Sequence, residues 1–272
     1  MSKIDYGRLG ELRPLWLEAD AVRERVAGAA GLYCFFSFEG ALSQKAAHGH
    51  VRTHPAARAA LARLVTSPRT RGAVMSGRKA GIVQRRLRLQ RVAYVAVYGA
   101  EVHTSGLRLV TEPDLETLGG HVAKLRRLCQ KSPALTAEGL VLEDRTYALS
   151  LSLRGATPAV ASAAATEFTR LAATSGLRLR SFPGVLEATD ATTGLDRAVR
   201  GLLAGLPGAL SVYVGAGEAD EEAFAAINAR NGISVHVGNA PREGTAARFM
   251  VADTGEVVRL IHWLADARRR NG

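Results

Sequence analysis

Tyr33-Cys34-Phe35-Phe36-Ser37-Phe38-Glu39-Gly40-Ala41-Leu42 carries an apolar run into a turn that contains glycine. Such a run suits a strand buried on both faces of a parallel sheet. In open α/β sheets the loop at a strand's carboxyl end is where ligands bind. Ser37, Glu39 and Ala41 are the residues that such a loop delivers.

Similar units flank this stretch. Residues 9–28 read as an amphipathic helix interrupted near Pro14, and residues 55–66 as a second helix rich in alanine and arginine. Gly72-Ala73-Val74-Met75 is a short apolar strand running into Ser76-Gly77-Arg78, and Val92–Val97 closes on Tyr98-Gly99-Ala100-Glu101. Strands alternating with helices predict a parallel sheet with right-handed crossovers. The rhythm changes in the middle of the chain. Two alternating strands, residues 140–143 and 147–153, enclose a turn at Asp144-Arg145-Thr146; a helix over 159–175 and strands over 177–182 and 185–187 follow. Hairpin, helix and strand predict a small α+β unit. From Gly194 the βα rhythm returns, with helices over 195–204, 221–230 and 255–269 and strands over 211–214 and 233–237. The expected organisation is a Rossmann-like core over 1–105 and 184–272, with a helical N-terminal extension over 1–28 and an inserted α+β unit over 106–183.

Composition narrows the function classes. No apolar run reaches the ~18–20 residues of a membrane helix, and the N-terminus lacks the basic-then-apolar form of a signal peptide. Cys34 and Cys129, far apart in sequence, predict free thiols and a reducing compartment, hence the cytoplasm. The net charge of +11 raises nucleic acid as a partner. The arginines are scattered, however, at 85, 86 and 88, at 126 and 127, and at 178 and 180, and few aromatics stand among them to stack on bases. A solvated basic surface is expected instead, with Arg268, Arg269 and Arg270 as a frayed helix end.

With the elements in order, the chain resembles trehalose-6-phosphate phosphatases, a family of the haloacid dehalogenase superfamily whose α/β core carries an α+β cap. The resemblance spans roughly residues 28–267. Ser76-Gly77-Arg78 looks like the family's second motif, and Gly99-Ala100-Glu101 like its Gly-Ala-Glu. Glu143, Arg145 and Arg154 resemble the cap pattern, and Glu187 the glutamate where the cap returns to the core. Residues 215–224 resemble the acidic Gly-Asp-Asp loop with its following Ala-Phe. Val235-His236-Val237-Gly238, Thr245-Ala246-Ala247 and the helix over 257–264 resemble the family's ending.

The departures fall on the chemistry. The resemblance places Ser37 at the nucleophilic aspartate, Glu39 at the general acid/base, Thr193 near the phosphate-binding lysine, and Ala216 and Gly217 at the two acidic residues serving magnesium. Ser76 and Asp220 match the family's residue types. An unactivated serine is a poor nucleophile. Glutamate in place of aspartate moves a carboxylate by about a bond length, and a misplacement of ~1 Å already costs ~10²-fold. Magnesium demands a near-octahedral oxygen shell from a loop that has lost carboxylates.

Three alternatives bear on other residues. A Ser-His pair at Ser37 would need a marked histidine, and none of His48, His50, His103, His121, His236 or His262 has a telling spacing. His48-Gly49-His50 with His54 suggests a metal cluster but reads better as a surface loop. Glu218, Asp220, Glu221 and Glu222 read as a solvated acidic helix start, which the helix dipole favours. Arg78, Glu143, Arg145, Arg154 and Glu187 form the candidate sugar-phosphate set, since arginines pair with phosphate and glutamates accept hydroxyl hydrogen bonds. The cap histidine is replaced by Ser152, and the arginine expected after Glu187 is missing. The resulting expectation is an inactive relative with no cofactor, a sugar phosphate such as trehalose 6-phosphate as ligand or an active enzyme of trehalose metabolism as partner, and neither membrane nor nucleic acid. The alternative is a weak magnesium-dependent phosphatase using Glu39 and Asp220.

Overall fold

The computed structural model describes residues 12–45, 51–104, 107–110, 115–182, 184–190, 194–238 and 245–269. Its first half holds strands β1 (Arg13–Pro14), β2 (Gly31–Ser37), β3 (Ser43–Lys45), β4 (Val51–Thr53), β5 (Thr70–Met75), β6 (Val92–Ala96), β7 (Glu101–Thr104) and β8 (Leu107–Val110). Helices α1 (Ala19–Gly28), α2 (Ala57–Leu64), α3 (Ala80–Leu87) and α4 (Leu115–Lys131) belong to the same half. The second half adds β9 (Val141–Asp144), β10 (Leu149–Ser152), α5 (Pro158–Thr174), β11 (Arg178–Phe182), β12 (Val185–Thr189) and α6 (Leu195–Ala204). It closes with β13 (Ala209–Gly215), α7 (Glu221–Asn228), β14 (Ile233–Val237), β15 (Phe249–Val251) and α8 (Thr254–Arg269). The chain divides into two compact units, Met1–Leu109 with Gly194–Gly272, and Val110–Thr193.

The larger unit is built on one sheet of order β1-β15-β14-β13-β2-β5-β6-β7-β8. It is parallel from β1 through β6, and β7 runs antiparallel to β6. Every residue of β2 is buried, because it pairs with β13 on one side and β5 on the other. That explains its unbroken apolar run: both sheet faces are covered, so no polar alternation is needed. One core cluster joins Tyr33, Phe35, Met75 and Tyr213 to Leu195, Val199, Phe224 and Ile227 of α6 and α7. Tyr33 and Phe35 stack at 4.6 Å, and full burial of an aromatic such as Phe35 contributes about 1.5–3 kcal/mol. Successive strands proceed from β2 through β5 and β6 in one direction and from β13 through β14 and β15 in the other. The order therefore reverses between β2 and β13, which is where an open α/β sheet forms a crevice at its carboxyl ends.

The smaller unit is an antiparallel sheet of order β11-β12-β10-β9. Leu149, Leu151 and Leu186 of the sheet are buried, as are Leu118, Val122 and Leu125 of α4 and Phe168 and Leu171 of α5. Thr157 caps α5, its hydroxyl accepting from the Val160 N–H at 3.4 Å, and Pro158 occupies the first turn, where its missing N–H costs nothing.

Several expectations are corrected. Val185–Thr189, expected with the core from residue 184, pairs with β10 and β11 in the smaller sheet. Phe182 stands opposite Val185, and Gly184 is at φ +71°. At the other boundary, Leu107–Val110, expected in the insertion, edges the large sheet. Within the expected helix over 9–28, residues 9–11 lie outside the described residues, and Arg13–Pro14 instead pairs with Phe249–Met250 at the sheet edge. An edge strand is the one place in a sheet where proline's missing donor is tolerated. The helix starts only at Ala19.

Arg268 is not a frayed end. It is 6% exposed, and its guanidinium donates to the carbonyls of Val26 at 3.0 Å, Ala29 at 2.7 Å and Pro68 at 3.2 Å. Arg269 donates to Arg63 O and Thr66 Oγ1; Arg270 lies outside the described residues.

Candidate functional site

The carboxyl ends of β2 and β13 bring Ser37, Asp220, Ala216 and Gly217 together around one buried carboxylate. Ser37 and Tyr213 donate their hydroxyls to Asp220 Oδ1, the latter at 2.7 Å. The backbone N–H groups of Ala216 and Gly217 donate to Oδ2 at 2.9 and 2.8 Å. Asp220 is 4% exposed and Tyr213 fully buried. Burial pushes the Asp220 carboxyl above the usual carboxylate range, and these hydrogen bonds oppose the shift. Burial and then the neighbouring Asp220 charge hold the Tyr213 phenol well above its usual value.

Glycines make this closeness feasible. A Cβ at Gly215 would lie 2.5 Å from the Asp220 carboxylate, and one at Gly40, where φ is +90°, would lie 2.5 Å from Ala216 Cβ. Asp220 and Glu221 are therefore not a solvated helix start. Asp220 is the acceptor of a closed nest, and Glu221 accepts from Thr245 Oγ1 at 2.9 Å and from the Ala246 N–H at 2.7 Å.

Glu39 and Ser76 form a second group with Arg78. Arg78 Nε donates to Glu39 Oε1 at 2.6 Å, and Ser76 Oγ donates to Glu39 Oε2 at 3.0 Å. The Arg78 N–H in turn donates to Ser76 Oγ at 3.0 Å. Ser76 sits where it does because its own N–H is held by the Val95 carbonyl of β6, and Gly77 is required because a Cβ there would meet the Tyr98 ring at 2.5 Å. Glu101 of the Gly-Ala-Glu sequence accepts from the Ala80 N–H at 3.1 Å and lies 2.7 Å from His103 Nε2. It anchors the start of α3.

In the smaller unit a polar row crosses the whole sheet in register: Arg180 opposite Glu187, Glu187 opposite Ser150, Ser150 opposite Glu143. Ser150 Oγ donates to Glu187 Oε2 at 3.0 Å, and Arg145 bridges Glu143 at 3.0 Å and Glu187 at 3.4 Å. Glu187 is 2% and Arg180 5% exposed. Thus Glu143, Arg145 and Glu187 of the expected sugar set come together. The stem of Arg154 lies against Gly184, where a Cβ would be 2.8 Å from Arg154 Cγ. Sequence reasoning missed Tyr213 and Arg180 as members of these clusters. Thr193, His48 and His50 lie outside the described residues, and His54 Nδ1 accepts from the Ala56 N–H at 3.2 Å.

The sequence model of the trehalose-phosphatase family matches residues 35–254. The chain belongs to the trehalose-phosphatase family. Among solved structures, the C-terminal domain of the trehalose-6-phosphate phosphatase of Candida albicans aligns over 95% of this chain and 99% of its own, at 16% identity and a TM-score of 0.72. The Aspergillus fumigatus trehalose-6-phosphate phosphatase aligns over 94% of this chain and 100% of its own, at 16% identity and a TM-score of 0.69. The C-terminal domain of a trehalose synthase regulatory protein, also from Candida albicans, aligns over 94% and 100%, at 15% identity and a TM-score of 0.68. Curated proteins yield no significant match. The fold is that of the haloacid dehalogenase-like phosphatases, with a separate small antiparallel sheet. No helix among the described residues is long and apolar enough to cross a membrane.

Magnesium, which the family implies, does not fit the residues present. Each oxygen of Asp220 already accepts donors, and Ala216 and Gly217 turn N–H groups, the positive ends of peptide dipoles, toward the place where a cation would need oxygens. Among the described residues no group of three or more His, Cys, Asp or Glu could hold a metal ion.

Proposed function

We propose that this chain is a catalytically silent member of the trehalose-phosphatase family that binds a sugar phosphate, or acts as a regulatory or scaffold partner of an active enzyme of trehalose metabolism. The observation that carries this reading is that serine, alanine and glycine stand at 37, 216 and 217, where the family resemblance places the nucleophile and the acidic residues serving the metal. Asp220 is the base within reach of the Ser37 hydroxyl, but the two residues that would recruit a metal to neutralise the phosphoryl group beside it are alanine and glycine. Removing the nucleophile of another hydrolase lowers turnover by roughly 10⁶-fold. A regulatory role gains support from the likeness to a trehalose synthase regulatory protein, and sugar binding from the polar row around Glu187, where a buried glutamate and Arg145 stand ready to exchange partners for hydroxyl or phosphate oxygens. The buried free thiols Cys34 and Cys129 support a cytoplasmic setting.

Two measurements test the reading. The first is phosphate release from trehalose 6-phosphate with and without magnesium, against a Ser37→Ala control; release at the control level is expected, and magnesium-dependent turnover above it would establish the phosphatase alternative. The second is calorimetric titration with trehalose 6-phosphate. Saturable heat that ignores magnesium supports a sugar-phosphate sensor, and the absence of heat moves the role to a protein partner.

A further inference from the structure

We propose that Glu39 is an intramolecular ligand: its carboxylate fills the anion seat made by Ser76 and Arg78 and keeps free phosphate out of it. A hydroxyl beside a guanidinium is a ready seat for an anion. Here the Ser76 hydroxyl and the Arg78 Nε–H, one of five guanidinium N–H donors, are spent on the chain's own carboxylate. Arg78 Nε reaches Glu39 Oε1 at 2.6 Å, and Ser76 Oγ lies 3.0 and 3.3 Å from the two carboxylate oxygens. The Arg78 N–H takes a lone pair of Ser76 Oγ at 3.0 Å, so the single hydroxyl proton is directed at Glu39.

The seat is reachable, since the Glu39 side chain is 26% and the Arg78 side chain 37% exposed. Exclusion therefore comes from occupancy and charge, not from burial. A tethered carboxylate competes at an effective concentration of roughly millimolar or more, and an incoming phosphate must displace one anion from Arg78 while approaching its charge. This inference goes beyond the loss of the nucleophile and of the metal ligands, and it holds whether or not the smaller unit binds a sugar. It also explains why glutamate, with one more methylene than aspartate, matters at this position: the added reach closes the pair with Arg78.

The probe is inorganic phosphate, titrated calorimetrically into the wild-type chain, Glu39→Ala, Glu39→Gln and the double variant Glu39→Ala/Arg78→Ala, each checked for native far-UV circular dichroism. Glu39→Ala should bind phosphate at least about tenfold more tightly than wild type, Glu39→Gln should fall between them, and the double variant should lose the gain. Equal affinity of wild type and Glu39→Ala, no binding by a folded Glu39→Ala, or a gain that survives Arg78→Ala would each overturn the proposal. Should Glu39→Ala fail to fold, Glu39→Gln decides: no tightening over wild type refutes the inference. Because no sugar is used, failure here leaves the sugar-phosphate reading untouched.

Discussion

Replacing Ser37 by aspartate restores the residue type that the family resemblance places at this position, and it should destabilise the chain. The Ser37 hydroxyl is hydrogen-bonded to Asp220 Oδ1, so the new carboxylate would sit about 4 Å from a carboxylate already enclosed by hydrogen-bond donors. At an effective dielectric of about 20, two like charges at that distance repel by about 4 kcal/mol. The chain could instead hold one of the two carboxyls neutral. If the introduced carboxyl takes the proton, its ordinary value of about 3.9 makes that cost at pH 7 about 1.36 kcal/mol for each of about three pH units, again near 4 kcal/mol. Both routes give a loss of about 4 kcal/mol, equivalent to a fall of about 8–16 °C in Tm for a chain of this size. Urea denaturation at pH 7 and pH 5 is the assay, with m checked for constancy. The loss should shrink by about 2–3 kcal/mol at pH 5, because protonation becomes cheaper. A Ser37→Asp chain within about 0.5 kcal/mol of wild type at pH 7 would refute the picture of an ionised Asp220 facing residue 37.

Three further outcomes follow from the same geometry. Asp220→Ala strands two hydroxyls and two N–H groups and should cost about 3–5 kcal/mol, whereas Asp220→Asn, which can keep its carbonyl on the two N–H groups, should cost less than half of that in the same denaturation assay. Because the Asp220 carboxyl is raised, its contribution is full below the ordinary carboxylate range and is lost as pH rises through the folded value; the deficit of Asp220→Asn relative to wild type should therefore narrow with increasing pH, and a deficit that widens would reverse the sign. Arg268→Ala removes three hydrogen bonds from a buried guanidinium and should lower stability by about 3 kcal/mol, with Arg268→Lys recovering only part of it. Finally, if a sugar phosphate is held through Arg145, Arg145→Ala should weaken calorimetric binding of trehalose 6-phosphate by about tenfold or more; an unchanged affinity would contradict this.

The central part of the fold is legible because its physics is local. Seven buried residues in β2 need no periodicity to be recognised, and Gly40 and Ser76-Gly77-Arg78 punctuate the strands that end beside it. What escaped depends on partners distant in sequence. β1 is a strand only because Phe249–Met250 lies beside it, and nothing in Arg13-Pro14 announces that. The commitment of Tyr213 to Asp220 needs the side of β13 that faces Ser37, which a strand assignment alone does not supply. Arg180 was within reach: the expected strands over 177–182 and 185–187 pair with Phe182 opposite Val185, which sets Arg180 opposite Glu187. Placing the domain boundary at residue 184, between those two strands, hid their pairing and the buried charge of Arg180. Likewise the run Arg268–Arg270 has the composition of a solvated end, and only the approach of Val26, Ala29 and Pro68 converts Arg268 into a clamp.

The closed nest around Asp220 changes how the molecule answers to its surroundings. A ligand that binds only the folded state stabilises it by RT ln(1 + [L]/Kd), so a metallophosphatase draws part of its melting temperature from the divalent ions in solution. In this chain two hydroxyls and two peptide N–H groups perform the neutralisation from within. Its thermal stability is thereby uncoupled from magnesium supply, and a chelator should leave its melting curve where it was.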